Sequence, residues 1–278
     1  MGKFDGWLIA TDLDGTLFDD RSEVPQKNLE AIRFFQEEGG LFTIATGRSM
    51  AMCRYVLTQV QINTPAVLIN GSLIYDTIAQ KPVWQSGVNR EAATWILAEV
   101  NQYFPDICAQ IHSAGPISIV SPEGCMDIFL VRENLPHHMT VPDAVEEPWY
   151  KVMFYAAPER LGELEEHVRQ KFPQSVKDQF NILYSAPYYF EMMPAATNKG
   201  TGLMHLAEIE GIKHEKTVAI GDYFNDADMI RMAGIGVAVA NAPEEIRRMA
   251  DVVVGNNNGG AIADLIIWLE ETQLAGEE

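Results

Sequence analysis

Trp7-Leu8-Ile9-Ala10-Thr11-Asp12-Leu13-Asp14-Gly15-Thr16 is the stretch whose reading decides the fold. Its apolar half, Trp7 to Ala10, is too short for a helix and ends on Thr11-Asp12, so it predicts a buried strand that runs into a polar loop. After a turn, Pro25 opens a segment with Leu29, Ile32 and Phe35 at helical spacing, closed by Gly39-Gly40; a helix follows from that pattern. Leu41 to Ala45 is the next strand, Ser49 to Val60 the next helix and Pro65 to Ile69 a third strand. The alternation is βαβαβ, the order that builds a parallel sheet.

Beyond Asn70-Gly71 the alternation changes. Ser72 to Tyr75 and Pro82 to Gln85 have the pattern of a hairpin, and an amphipathic helix with Ala92, Ile96 and Val100 runs to a stop at Pro105. Strands are predicted near Ile117 to Val120, Ile128 to Val131, Tyr150 to Tyr155, Ile182 to Tyr184 and Tyr188 to Met192, with a helix from Pro158 bearing Leu161, Leu164, Val168 and Phe172. From Asn198 the βα alternation resumes through strands at Val218 to Ile220, Gly236 to Val239 and Val252 to Val254. The expected architecture is therefore α/β: a doubly wound parallel sheet over residues 1–81 and 188–278, interrupted by an inserted α+β domain over 82–187.

Composition bounds the function. With 278 residues, 47% of them apolar and 21% charged, the chain suits one large domain and one smaller module with real cores. The 20 basic residues against 39 acidic ones give 20 − 39 = −19, a field that repels nucleic acid and anionic lipid surfaces. An anionic small molecule would need a local cluster of cations and backbone N–H groups to overrule that field. Cys53, Cys108 and Cys125 are odd in number and unevenly spaced, unlike a disulfide framework or a zinc site. No apolar run approaches about 18 residues, and a cytoplasmic protein, monomeric or a small homo-oligomer, is expected.

In an open parallel sheet, ligands bind beyond the carboxyl ends of the strands. Four polar clusters stand there: Asp12-Leu13-Asp14-Gly15-Thr16, then Thr46-Gly47-Arg48, then Gly221-Asp222-Tyr223-Phe224-Asn225-Asp226, and Asn198-Lys199-Gly200 where the alternation resumes. In this order the chain resembles the haloacid dehalogenase superfamily and, within it, the Cof-type phosphatases, whose second-type cap is inserted after the third core strand. The resemblance spans essentially the whole length. Asp-x-Asp-Gly-Thr has four fixed positions, and four motifs in register make coincidence negligible.

The resemblance implies a magnesium-dependent phosphatase that acts on a small-molecule phosphomonoester, such as a sugar phosphate, through an aspartyl-phosphate intermediate. Asp12 would be the nucleophile, a role a carboxylate fills at neutral pH without a general base. The Mg2+ ligands implied are the Asp12 side chain, the Asp14 main-chain carbonyl and the Asp222 side chain, with Asp226 beside them. Asp14 would protonate the leaving alkoxide and then activate water. Thr46, Gly47 and Arg48 would meet the phosphoryl group, Lys199 would neutralise charge on its oxygens, and Asn225 would orient this shell.

Rival readings exist for each part. A calcium loop would want Asp or Asn where Thr16 stands and Gly where Leu17 stands. Asp222 and Asp226 alone could be helix caps; a phosphomutase, or a non-catalytic phospho-ligand-binding protein, would use a similar constellation. His112, His137, His138, Tyr188 and Tyr189 read as structural or solvent-facing. Two departures from the family pattern bear on specificity: Tyr223-Phe224 is bulkier than the pair often found there, and Ala196-Thr197-Asn198 differs from the usual run into the lysine. Asn70-Gly71 and Asn241-Ala242 read as turns.

Overall fold

The computed structural model describes residues 2–122 and 124–273. The strands before the insert are β1 (Leu8–Thr11), β2 (Leu41–Ile44), β3 (Ala66–Leu68), β4 (Leu73–Asp76) and β5 (Lys81–Gln85). Those of the insert are β6 (Cys108–His112), β7 (Ile117–Ile119), β8 (His137–Met139), β9 (Lys151–Tyr155), β10 (Phe180–Ala186) and β11 (Tyr189–Pro194). The chain then returns through β12 (Thr217–Gly221), β13 (Ile235–Val239) and β14 (Val252–Val254).

The core sheet has the order β14-β13-β12-β1-β2, parallel throughout, and a parallel bridge from Ala45 to Val67 brings β3 in beyond β2. All residues of β1, β12 and β13 are buried. That explains why they read as unbroken apolar runs rather than alternating ones: helices cover both faces of such a sheet. The winding direction reverses between β1 and β12, which pair from Leu8 with Thr217 to Thr11 with Ile220. Their carboxyl ends therefore lie side by side, and Asp12 N–H donates to Ile220 O at 3.0 Å. The expected doubly wound architecture is present.

Two compact units are distinct: residues up to Trp84 with those from Asn198 onward, and the contiguous segment Gln85–Thr197. In the second, the sheet order is β10-β11-β9-β6-β7-β8. Helices Arg90–Tyr103 and Pro158–Lys171 pack Ile96, Leu97, Val100, Leu161, Leu164 and Val168 into one core with the sheet's Ile111, Val152, Phe154 and Phe190. The insert so found runs past the expected boundary at 188, because β11 pairs with both β9 and β10 and belongs to the inserted sheet. The run Ile128 to Val131, read as a strand, lies in a helix, Ile128–Arg132, whose N-cap Asp127 accepts Phe129 N–H at 2.9 Å.

Candidate active site

Three elements bring charged groups to the switch point. The first is the turn after β1. Gly15 has φ +78°, and a Cβ there would lie 2.5 Å from Asp222 Oδ2, so only glycine lets this loop pass the carboxylate. Thr16 Oγ1 donates to Asp222 Oδ1 at 3.0 Å, and Asn241 Nδ2 donates to Gly15 O at 2.8 Å. Both contacts fasten the turn to the strand ends beside it.

The second element is the helix Lys199–Glu210. Asn198 starts it with a reciprocal cap: its side chain accepts Thr201 N–H at 2.8 Å while Thr201 Oγ1 accepts Asn198 N–H at 3.0 Å. The cap fixes Lys199 in the first turn, where a cation opposes the helix dipole and is retained when anions surround it. Lys199 Nζ lies 2.6 Å from Asp12 Oδ1 and 2.6 Å from Asp226 Oδ1, with its side chain fully buried.

The third element is the turn after β12. Asp226 Oδ2 accepts the N–H groups of Asp222 (3.0 Å) and Tyr223 (3.1 Å). Both oxygens of Asp226 are thus engaged, one by Lys199 and one by the backbone that carries Asp222. Asn225 sits half-buried on the same turn.

Asp12, Asp222 and Asp226 each offer an oxygen within 4.8 Å of the others, so three carboxylates face one ammonium. Burial raises the Asp12 carboxyl to about 7, and repulsion from Asp226 adds to the rise against the pull of Lys199. Burial, then Asp226, lifts Asp222 to about 6. Burial also works against the Lys199 ammonium, but the two carboxylates overcome it and hold its pKa above the ordinary lysine value. An all-oxygen donor set with surplus negative charge fits a hard divalent cation such as Mg2+.

Asp14 is exposed. Arg48 grips it, with Nη2 to Oδ1 at 2.7 Å and Nε to Oδ2 at 3.1 Å, and the guanidinium lies 5.8 Å from the Phe18 ring centre. Thr46 is buried just beyond β2 and its Oγ1 accepts Arg48 N–H at 3.2 Å. A Cβ on Gly47 would come 3.0 Å from Asn70 Oδ1, a close approach at a position read only as a turn. Asp12, Lys199, Asp222 and Asp226 are therefore brought into one cluster, and Asp14 and Arg48 into a separate pair.

The sequence marks Thr16 and Asn198 only as members of their motifs and Asn241 only as a turn residue; the structure gives all three positioning contacts. Of these, Asn198 had a readable signal, Asn at a helix start with Thr three residues on. Within the insert, His112 Nε2 meets Gln110 Oε1 at 3.3 Å and Tyr189 OH donates to Asp127 Oδ2 at 2.9 Å.

A sequence model of haloacid dehalogenase-like hydrolases matches residues 9–266. The chain is similar to the 5-amino-6-(5-phospho-D-ribitylamino)uracil phosphatase YwtE of Bacillus subtilis, 29% identical over 96% of this chain and 99% of that protein. It is also similar to the pyridoxal phosphate phosphatase YbhA of Escherichia coli, 25% identical over 93% of this chain and 97% of that one. The crystal structure of a haloacid dehalogenase-like hydrolase from Bacteroides thetaiotaomicron superposes with a TM-score of 0.80 at 23% identity, covering 95% of this chain and 99% of the other. Among the described residues, no helix is long and apolar enough to cross a membrane.

Proposed function

The chain belongs to the haloacid dehalogenase-like hydrolase family and is a phosphoric monoester hydrolase, and we propose that it releases phosphate from small phosphorylated metabolites by a magnesium-dependent route through an aspartyl-phosphate on Asp12. The observation that carries this reading is the buried contact of Lys199 with both Asp12 and Asp226. Lys199 holds Oδ1 of Asp12, which leaves Oδ2 to attack phosphorus in line as the ester P–O bond breaks. Asp14 gives its proton to the departing alkoxide, then takes one from the water that cleaves the acyl phosphate and restores Asp12. Lys199 and the Thr46 hydroxyl compensate charge on the phosphoryl oxygens.

A magnesium ion held by Asp12 and Asp222, with the Asp14 main-chain carbonyl, would offset the repulsion between carboxylate and phosphoryl group. Asp226, occupied by Lys199 and two N–H groups, contributes by fixing those partners in place. Arg48 gives three hydrogen bonds from Nε and Nη2 to the Asp14 carboxylate, so its first role in this scheme is to aim the acid. Asn225 completes the rim beside Asp222. The phosphorylated heterocycles named for the two relatives, and sugar phosphates, belong to the substrate class this site would take.

Asp12→Asn tests the mechanism, since the amide keeps the shape of the side chain but is not a nucleophile. Magnesium-dependent phosphate release from a panel of phosphometabolites should be abolished. Turnover at the wild-type level in that variant would refute the covalent route.

A further inference from the structure

Between Asp222 and Asp226 the chain places two aromatic residues in solvent. Tyr223 is 47% exposed and Phe224 53%; other aromatics such as Tyr55 and Tyr103 are as exposed, but these two are adjacent and lie between two carboxylates of the cluster. A loose loop does not account for this exposure, because the backbone beneath the rings is fastened. Asp226 Oδ2 accepts the N–H of Asp222 and of Tyr223, and Asp226 N–H donates to Tyr223 O at 3.0 Å. Asp226 is itself tied to Lys199. The two rings meet edge to face, 5.1 Å between centroids at 74°, so each limits the other's freedom.

The rings are thus fixed relative to the phosphoryl-transfer groups. The Cα of Tyr223 is about 3.8 Å from that of Asp222 and the Cα of Phe224 no more than about 7 Å from it. A phosphomonoester with its phosphorus at Asp12 and Lys199 must project its alcohol outward from the carboxyl edge of the sheet, the edge from which this turn rises. An edge-to-face pair there offers aromatic surface to a flat ring and little to a flexible polyol. Two side chains are far short of the roughly 800 Å² per partner that a stable protein interface needs, and the net charge of −19 disfavours nucleic acid. A small ligand is the occupant that fits.

We propose that Tyr223 and Phe224 form a leaving-group subsite that biases the enzyme toward phosphomonoesters whose alcohol carries a planar aromatic or heteroaromatic ring. The inference rests on the phosphatase reading above and deepens it by naming the substrate class. It also gives a function to the bulky pair that sets this motif apart from the family pattern.

Benzyl phosphate and cyclohexylmethyl phosphate make a matched test, since their alcohols have the same ring size and connectivity and differ in planarity. With Mg2+ present, wild-type kcat/KM should favour the benzyl ester by about two- to tenfold, the range of an aromatic pairing beyond simple area burial. In a Tyr223→Leu/Phe224→Leu double variant, which keeps apolar bulk but removes the rings, that ratio should fall to near one, through KM for the benzyl ester. A wild-type ratio near one, or a ratio unchanged by the double substitution, overturns this inference and leaves the phosphatase reading standing. Hydrolysis of neither ester by a wild type that releases phosphate from the metabolite panel overturns this inference alone, and release from neither the esters nor the panel overturns both.

Discussion

Asp12 and Asp222 are carboxylic acids that burial and then repulsion from Asp226 push upward, to about 7 and about 6, while the proposed chemistry needs both ionised. A divalent cation between them reverses that balance, since it binds the ionised forms and releases protons as it does so. The sign follows from linkage. Acids whose folded pKa is raised hold protons that the unfolded chain has lost, so their contribution to metal-free stability is present below the ordinary carboxylate pKa of about 4 and disappears as pH rises through 6 and 7. Added Mg2+ should therefore raise the melting temperature little at pH 5 and by about 5 °C or more at pH 8 with saturating ion. Thermal scans with Mg2+ and with EDTA at several pH values measure this. A shift that is flat with pH, or larger at pH 5, contradicts the assignment of these carboxylates to the cation.

At this scale the sequence was most informative for the residues that follow buried strands. Asp12, Thr46 and Asp222 could be placed from the apolar runs before them, since a parallel strand leads its next polar residue to the same edge of the sheet. The Arg48 grip on Asp14 could not be placed that way. It joins loops 34 positions apart, and the geometry of each loop depends on close backbone approaches such as Gly15 against Asp222 and Gly47 against Asn70. The partners of Thr16 and Asn241 were not legible for the same reason: they are set by how loops meet.

Elements were legible where their pattern was long and missed where it was short. The helices Arg90–Tyr103 and Pro158–Lys171 carry several turns of apolar spacing, whereas Ile128 to Val131 offers one turn of branched residues that reads equally well as a strand. The decisive group there is Asp127, fully buried, which caps that helix and also accepts from Gln110 and Tyr189. Strands β9 and β11 pose a related problem. Lys151 and Glu191 sit on one face of paired strands, and their side chains are 5% and 3% exposed and meet at 2.9 Å. Ser185 Oγ donates to the same Glu191 oxygen at 2.6 Å. Opposite Lys151 in the register is His112, which burial and then the nearby ammonium hold well below the usual histidine pKa.

A pair this buried stabilises little against apolar replacement, but breaking it strands a charge. Glu191→Ala should accordingly destabilise the insert by about 3–5 kcal/mol, while Lys151→Met combined with Glu191→Leu should lie within about 1 kcal/mol of wild type or above it. Urea unfolding, followed by far-UV circular dichroism, distinguishes the cases. Equal losses in the single and double variants would mean that the pair itself, rather than the avoidance of an unpaired charge, carries the stability.

For the molecule as a whole, chain connectivity treats the two units differently. The core sheet needs both ends of the chain, because β1 lies between β2, which precedes the insert, and β12, which follows it. A fragment ending at Trp84 would leave one edge of β1 unpaired and most of its apolar surface uncovered. The insert is contiguous from Gln85 to Thr197 and has its own core, in which two helices close one face of a six-stranded sheet. Such a segment satisfies the ordinary requirements for independent folding. This is also why the insert's far boundary was harder to read than the core's alternation: it depends on the pairing of β11 with β9 and β10, which no local pattern records. Residues 85–197 produced alone should show a cooperative thermal transition and dispersed amide resonances, whereas residues 1–84 alone should show neither. A folded 1–84 fragment beside a non-cooperative 85–197 fragment would invert the assignment of which unit is autonomous, and would require the core sheet to be stable without the strand that completes its switch point.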